Sequence, residues 1–167
     1  MMNSLEVALH QLQAVRRYST DLIDSIDHAD WYRMTDEGVS HIAWQVGHLA
    51  MAQYRLALRR VRGPAEGDDA FISADFLRVF GKGSTPVPQP EVYPCPDEIL
   101  SVFHHVHRQV MEELPQFPVS RLSEPPEEPH RLFNTKLDSL LWCGQHEMLH
   151  AGQIGLIRRL LGADYRW

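Results

Sequence analysis

Four stretches of the chain carry apolar residues at three- and four-residue steps, the spacing that lines one side of an α-helix. Leu5, Leu9, Leu12, Val15, Ser19, Leu22 and Ile26 trace the first, and Asn3 with Glu6 three positions on makes a capping-box start, so a helix is predicted over about residues 4–27. A polar stretch through Asp36, Gly38 and Ser40 follows. Ile42, Val46, Leu49, Ala52 and Leu56 then repeat the period until Gly63-Pro64 stops it, which predicts a second helix over about residues 40–62. Ile99, Val102, Phe103, Val106, Val110 and Leu114 define a third, started by Asp97 and Glu98 and ended near Pro115. Thr135 with Asp138 opens the fourth, whose stripe of Leu137, Leu140, Leu141, Leu149, Ile157, Leu160 and Leu161 stops at Gly162.

Residues 63–96 break the pattern. Gly81, Gly83, Pro86, Pro88, Pro90, Pro94 and Pro96 forbid a long regular element, and Phe71, Phe76, Leu77 and Phe80 suggest one short helix against the body. A crossover of that length occurs where neighbouring bundle helices run parallel, or where a loop closes over a site. No stretch alternates with period two. The expected fold is therefore an all-α four-helix bundle, one domain over residues 1–167, with a long crossover between its second and third helices.

Charge narrows the function. Lys and Arg total 16 against 22 Asp and Glu, for a formal charge of −6, which disfavours nucleic acid as a partner. The pairs Arg16-Arg17, Arg59-Arg60 and Arg158-Arg159 read as solvated helix faces. The longest segment free of charged side chains, residues 38–54, holds Ser40, His41, Gln45, His48 and Gln53 and is too polar to span a membrane. Two cysteines, Cys95 and Cys143, make no disulfide framework, and no secretory signal opens the chain, so a cytoplasmic location is expected.

Ten histidines stand out, and the sharpest pattern is His146-Glu147-Met148-Leu149-His150. Residues four apart on a helix share a face, so both imidazoles can reach one metal ion. The alternative is that they cap, pair or pack. They belong, however, to a stripe with Cys143, Gln153 and Ile157 that faces inward with the apolar positions, and inward polar groups need partners. His-Glu-x-x-His is also the zinc-protease signature, in which the glutamate is a general base. The residues after His150 supply neither the glycine and histidine of one protease class nor the downstream glutamate of the other. A third ligand should come from upstream. His48 is the best candidate, beside the stripe of the second helix and next to Gly47, whose place inside a helix suggests close approach by another helix.

The other histidines carry weaker signals. His104, His105 and His107 point in different directions and read mostly as surface. His10, His28, His41 and His130 read as surface or loop residues. Cys143 reads as a pocket wall, with ligation a minor option, and Gln153 as a hydrogen-bond donor behind the ligands. Glu147 projects about 100 degrees from His146, toward solvent or a helix neighbour. Arg55 or Arg59 are candidate anion contacts beside the crossover.

Gly47-His48-Leu49-Ala50 on the second helix, with His146-x-x-x-His150-Ala-Gly-Gln153-Ile154 on the fourth, resembles the DinB/YfiT-like superfamily across nearly the whole chain, including the Pro-Asp-Glu-Ile-Leu start of the third helix. The resemblance implies an up-down-down-up bundle, commonly dimeric, with a metal held near one end by His48, His146 and His150. Zinc is the first expectation, with nickel, iron and manganese as alternatives. Some members of that superfamily are maleylpyruvate isomerases using mycothiol or S-transferases using bacillithiol, and related domains occur in enzymes of ergothioneine synthesis. A metal-dependent enzyme that activates a water or thiol nucleophile, of thiol S-transferase or hydrolase type, is thus implied, with a low-molecular-weight thiol as a candidate cofactor. A small-molecule substrate and a homodimer are the expected partners. The rivals are a non-catalytic metal-binding or interaction bundle and the zinc protease. Ordinary imidazole ligands would release metal below about pH 6.

Overall fold

The computed structural model describes residues 1–35, 38 and 40–164, so Asp36 of the predicted polar stretch lies outside the described residues. Helix α1 (Ser4–Ile23) begins at the expected capping box, where Asn3 Oδ1 accepts from Glu6 N at 3.0 Å and Glu6 Oε2 accepts from Asn3 N at 2.8 Å. It ends four residues before the predicted limit, and Asp27 instead caps a short 3-10 turn, His28–Asp30. Helix α2 (Ile42–Gln53) runs on through a π-helical segment, Tyr54–Arg59, into α3 (Arg60–Arg62). Sequence period gives no hint of that π segment, in which each bond reaches one residue further than in an α-helix. Gly63, at φ 89°, then ends the run.

The crossover holds one short α-helix, α4 (Ala74–Val79), capped by Ser73 and carrying Phe76 and Leu77 of the predicted set; Phe80 is its C-cap, and Phe71 lies before it, at the end of a 3-10 turn. Helix α5 (Pro96–Glu113) starts with proline in its first turn and Glu98 accepting from Cys95 N at 2.9 Å. Helix α6 (Lys136–Leu160) opens on the Thr135–Asp138 capping box. The chain is all-helical: α1 packs on α6 and α2 on α5, with α2 also against α6. Between them lies one apolar core of Leu12, Leu22, Ile42, Leu49, Leu58, Ile99, Phe103 and Val106, each at most 1% exposed. Among the described residues no helix is long and apolar enough to cross a membrane.

One buried polar network interrupts that core, and it revises two expectations. Arg16 is buried, not solvated: its guanidinium meets Glu147 through two hydrogen bonds of 2.7 and 2.9 Å. It also donates to Phe103 O and Gln53 Oε1, both at 2.8 Å, and lies over the Phe103 ring. Arg158 is buried as well. Gln53 donates onward to His107 Nδ1 at 3.1 Å, so His107 is a core-edge group held neutral, not a surface one. Burial and the nearby Arg16 push its pKa down to about 3.

Candidate metal centre

Helices α2 and α6 bring His48, His146 and His150 together. One nitrogen from each ring lies within 4.8 Å of the other two, and the ring centroids are 4.5 to 5.4 Å apart. His146 and His150 come from successive turns of α6, as their spacing requires. His48 faces them from α2.

Two of the three rings have a fixed tautomer. Phe80 O is only an acceptor, so the 2.9 Å contact at His48 Nδ1 places the proton there and leaves Nε2 with its lone pair. His150 Nδ1 donates to Gln45 Oε1 at 2.6 Å. Gln45 is itself held by both its N–H bonds, to Ser40 Oγ and to Gln153 Oε1, each at 2.9 Å. Backing of this kind fixes ring orientation and raises basicity at the nitrogen that faces a metal. Gln153 therefore acts through Gln45, as an acceptor, rather than by donating to a ligand. Gln45 was missed by sequence reading, although its position three residues before His48 puts it on the same helix face.

The crossover completes the support. Its Phe80 carbonyl holds His48, and its Ser84 hydroxyl accepts from Trp44 Nε1 at 2.9 Å. Trp44 in turn stacks on His48 with ring centroids 4.6 Å apart and planes at 15°. Gly47 explains how the loop gets so close: a Cβ there would overlap the Phe80 ring. The close approach inferred from Gly47 is real, but the partner is this aromatic side chain rather than a helix.

The electrostatics favour neutral imidazoles. Burial lowers the pKa of His146 to about 4 and that of His150 to about 3, with the neighbouring histidines adding to the shift. Burial lowers His48 too, against the hydrogen bond to Phe80, and Arg55 pushes in the same direction as burial. Three uncharged nitrogen donors, two of them braced on the opposite side of the ring, are a donor set suited to a divalent transition metal.

Two sequence candidates fall outside the cluster. Cys143 is buried in the core, where burial raises its thiol pKa, and it is not among the clustered donors. Glu147 has both carboxylate oxygens engaged by Arg16, in the bundle interior. That removes the residue the protease reading requires as base. His41, expected at the surface, is buried and caps α2 by accepting from Trp44 N.

His48 and His146 open onto a cleft of about 520 Å³ whose lining includes Met51, Trp142 and Leu132 together with Arg55, Arg60, Lys82 and Arg131. Arg55 is half-buried in that lining, whereas Arg59 pairs with Glu128 at 2.5 Å.

An all-α bundle with three clustered imidazoles contributed by its second and last long helices defines a class of helical proteins with a shared histidine centre. The chain belongs to the DinB superfamily, whose sequence pattern matches residues 11–154. A solved structure described as a conserved protein from Enterococcus faecalis superposes with a TM-score of 0.75, covering 98% of this chain and 100% of its own, at 16% identity. That likeness is one of fold. No curated protein sequence matches.

Proposed function

We propose that the protein is a metal-dependent enzyme holding a divalent ion, zinc first, on His48, His146 and His150. The carrying observation is the bracing of His48 by Phe80 and of His150 by Gln45, which leaves Nε2 of each ring unprotonated. Core histidines that merely pack do not need a shared centre with every donor within 4.8 Å. When bound, such an ion would supply Lewis acidity, lowering the pKa of a coordinated water or thiol.

The chain's own residues supply the rest. Phe80 and Gln45 hold the ring protons away from the centre, and Trp44 covers one face of His48. Trp142, Met51 and Leu132 line an apolar part of the cleft, which accommodates a small molecule rather than a peptide. A thiol S-transferase or hydrolase reaction fits this arrangement, with a low-molecular-weight thiol as co-substrate in the first case. Both cysteines are unpaired, which supports a reducing, cytoplasmic setting. We also propose a homodimer through α6, where Met148, Leu149, Leu156 and Leu160 are exposed apolar side chains.

The test is elemental analysis of untagged protein beside a His146→Ala/His150→Ala variant that retains its helical circular dichroism. Near-stoichiometric metal lost in the variant supports the centre. Wild-type protein that is metal-free and refuses added zinc or nickel overturns it, and the interaction-bundle reading then leads. Upward melting shifts of the loaded protein with low-molecular-weight thiols would support the transferase branch.

A further inference from the structure

We propose that the cleft beside the three imidazoles binds a small organic acid, whose carboxylate is held by Arg55 and Arg60 and whose reacting end lies toward His48 and His146. This names the substrate class of the site proposed above and rests on that reading for the identity of the reacting end.

The first observation is a local charge imbalance. A chain of net charge −6 places Arg55, Arg60, Lys82 and Arg131 around one cleft whose lining contains no Asp or Glu. Among the described residues none of the four is ion-paired, whereas Arg16, Arg59, Arg62 and Arg121 all are. The neighbouring acidic loop corrects the imbalance only in part: Glu128 acts on Arg60 through space, but the loop's carboxylates are already engaged by other side chains. Glu124 and Glu127 bond Lys136 at 3.0 and 2.6 Å, and Glu128 bonds Arg59.

The second observation is that Arg60 is partly buried and incompletely satisfied. Its Nε is buried without a partner, and its guanidinium makes only a long 3.4 Å bond to Arg55 O. Planar guanidinium groups match carboxylates through paired, charge-assisted hydrogen bonds. The π-helical segment Tyr54–Arg59 leads directly into Arg60, and π segments within α-helices recur at functional sites. The positive field is felt locally: His130, which also lines the cleft, has a lowered pKa from burial and from Arg60, Lys82 and Arg131.

The third observation concerns charge at the reacting end. Three neutral imidazoles would leave the whole charge of a divalent ion uncompensated, so both ends of the cleft call for an anion. A volume of about 520 Å³ suits a metabolite-sized ligand.

The experiment is calorimetric titration of zinc-loaded and metal-free protein with glutarate, its neutral diamide glutaramide, and inorganic phosphate, at fixed ionic strength. Glutarate should bind both forms at least tenfold more tightly than glutaramide. The preference should collapse in Arg55→Gln and Arg60→Gln, and weaken in the exposed double variant Lys82→Gln/Arg131→Gln, which cannot fail for want of a core. Equal binding of acid and diamide would overturn the proposal. So would phosphate binding more tightly than glutarate, or glutarate binding only the zinc form with no effect of the arginine variants. Glutarate binding by a protein that never takes up metal would sink the metal reading while this inference stood.

Discussion

Replacing Glu147 by Gln separates the two roles that the His-Glu-x-x-His run invites. The carboxylate is 2% exposed and faces Arg16, which is 4% exposed, so neither charge is compensated by water. Removing one partner of such a pair is destabilising by about 3–5 kcal/mol, chiefly because the other charge stays buried. Glutamine keeps the volume and one acceptor, and Arg16 retains Phe103 O and Gln53 Oε1, which puts the expectation at the low end, about 3 kcal/mol. At roughly 2–4 °C per kcal/mol for a chain of this size, the melting temperature should fall by roughly 6–12 °C. Thermal melts followed by circular dichroism would read this, with elemental analysis on the same samples showing unchanged metal at low temperature. The double variant Arg16→Met/Glu147→Leu should recover most of the loss, since removing both charges leaves neither stranded. A single variant melting within about 2 °C of wild type would refute the structural role, that being the range of an inconsequential surface change.

Other perturbations probe the support of the centre. Gln45→Leu should weaken metal binding by roughly 10–100-fold in competition titrations, because His150 loses the acceptor that fixes its tautomer; unchanged affinity would show that the brace is idle. Gly47→Ala should destabilise by about 1–3 kcal/mol in urea melts despite the better helix propensity of alanine, and should also loosen metal, because displacing Phe80 breaks its bond to His48. The folded pKa values of about 4 and 3 for His146 and His150 mean that no protons are displaced from them on metal binding near neutrality. Through these two rings affinity should begin to fall only toward pH 4, lower than ordinary imidazoles would give, as metal competition titrations across pH would read. His107 has a folded pKa of about 3, below its unfolded value, so the unfolded chain takes up the proton first and stability is lost as pH falls from about 6.5 toward 3. At pH 5 this amounts to about 2 kcal/mol, and a His107→Gln variant should show a correspondingly shallower pH dependence of its urea midpoint.

What the sequence reveals and what it hides follow from how local each signal is. Helix starts at Asn3 and Thr135 are read correctly because a capping box is closed within four residues. The ligand candidates on α6 are legible for the same reason, being one turn apart. Long-range pairings are not encoded in spacing: Arg16 and Glu147 are 131 positions apart, and an Arg-Arg dipeptide in a helix looks like a solvated face until its partner is known. The same holds for His107, whose neutral state depends on Gln53 from another helix. The π segment escapes detection because Tyr54–Arg59 carries the same apolar period as its flanks. The brace by Phe80 is half-visible, since Gly47 announces that something approaches without naming it.

The register of α6 shows why one five-residue run can face two environments. On a helix of 3.6 residues per turn, His150 lies about 40 degrees from His146 while Glu147 lies about 100 degrees away. With the two imidazoles turned toward α2, the carboxylate is carried into the interior, where a lone negative charge would be intolerable without Arg16. Had Glu147 turned toward the histidines instead, it would have raised their pKa values and added a fourth, anionic donor. The ion pair thus keeps the centre neutral as well as holding α1 against α6. A neutral donor set beside an unpaired cationic cleft leaves negative charge to be brought by whatever binds there, and that requirement follows from the placement of Glu147 as much as from the arginines themselves.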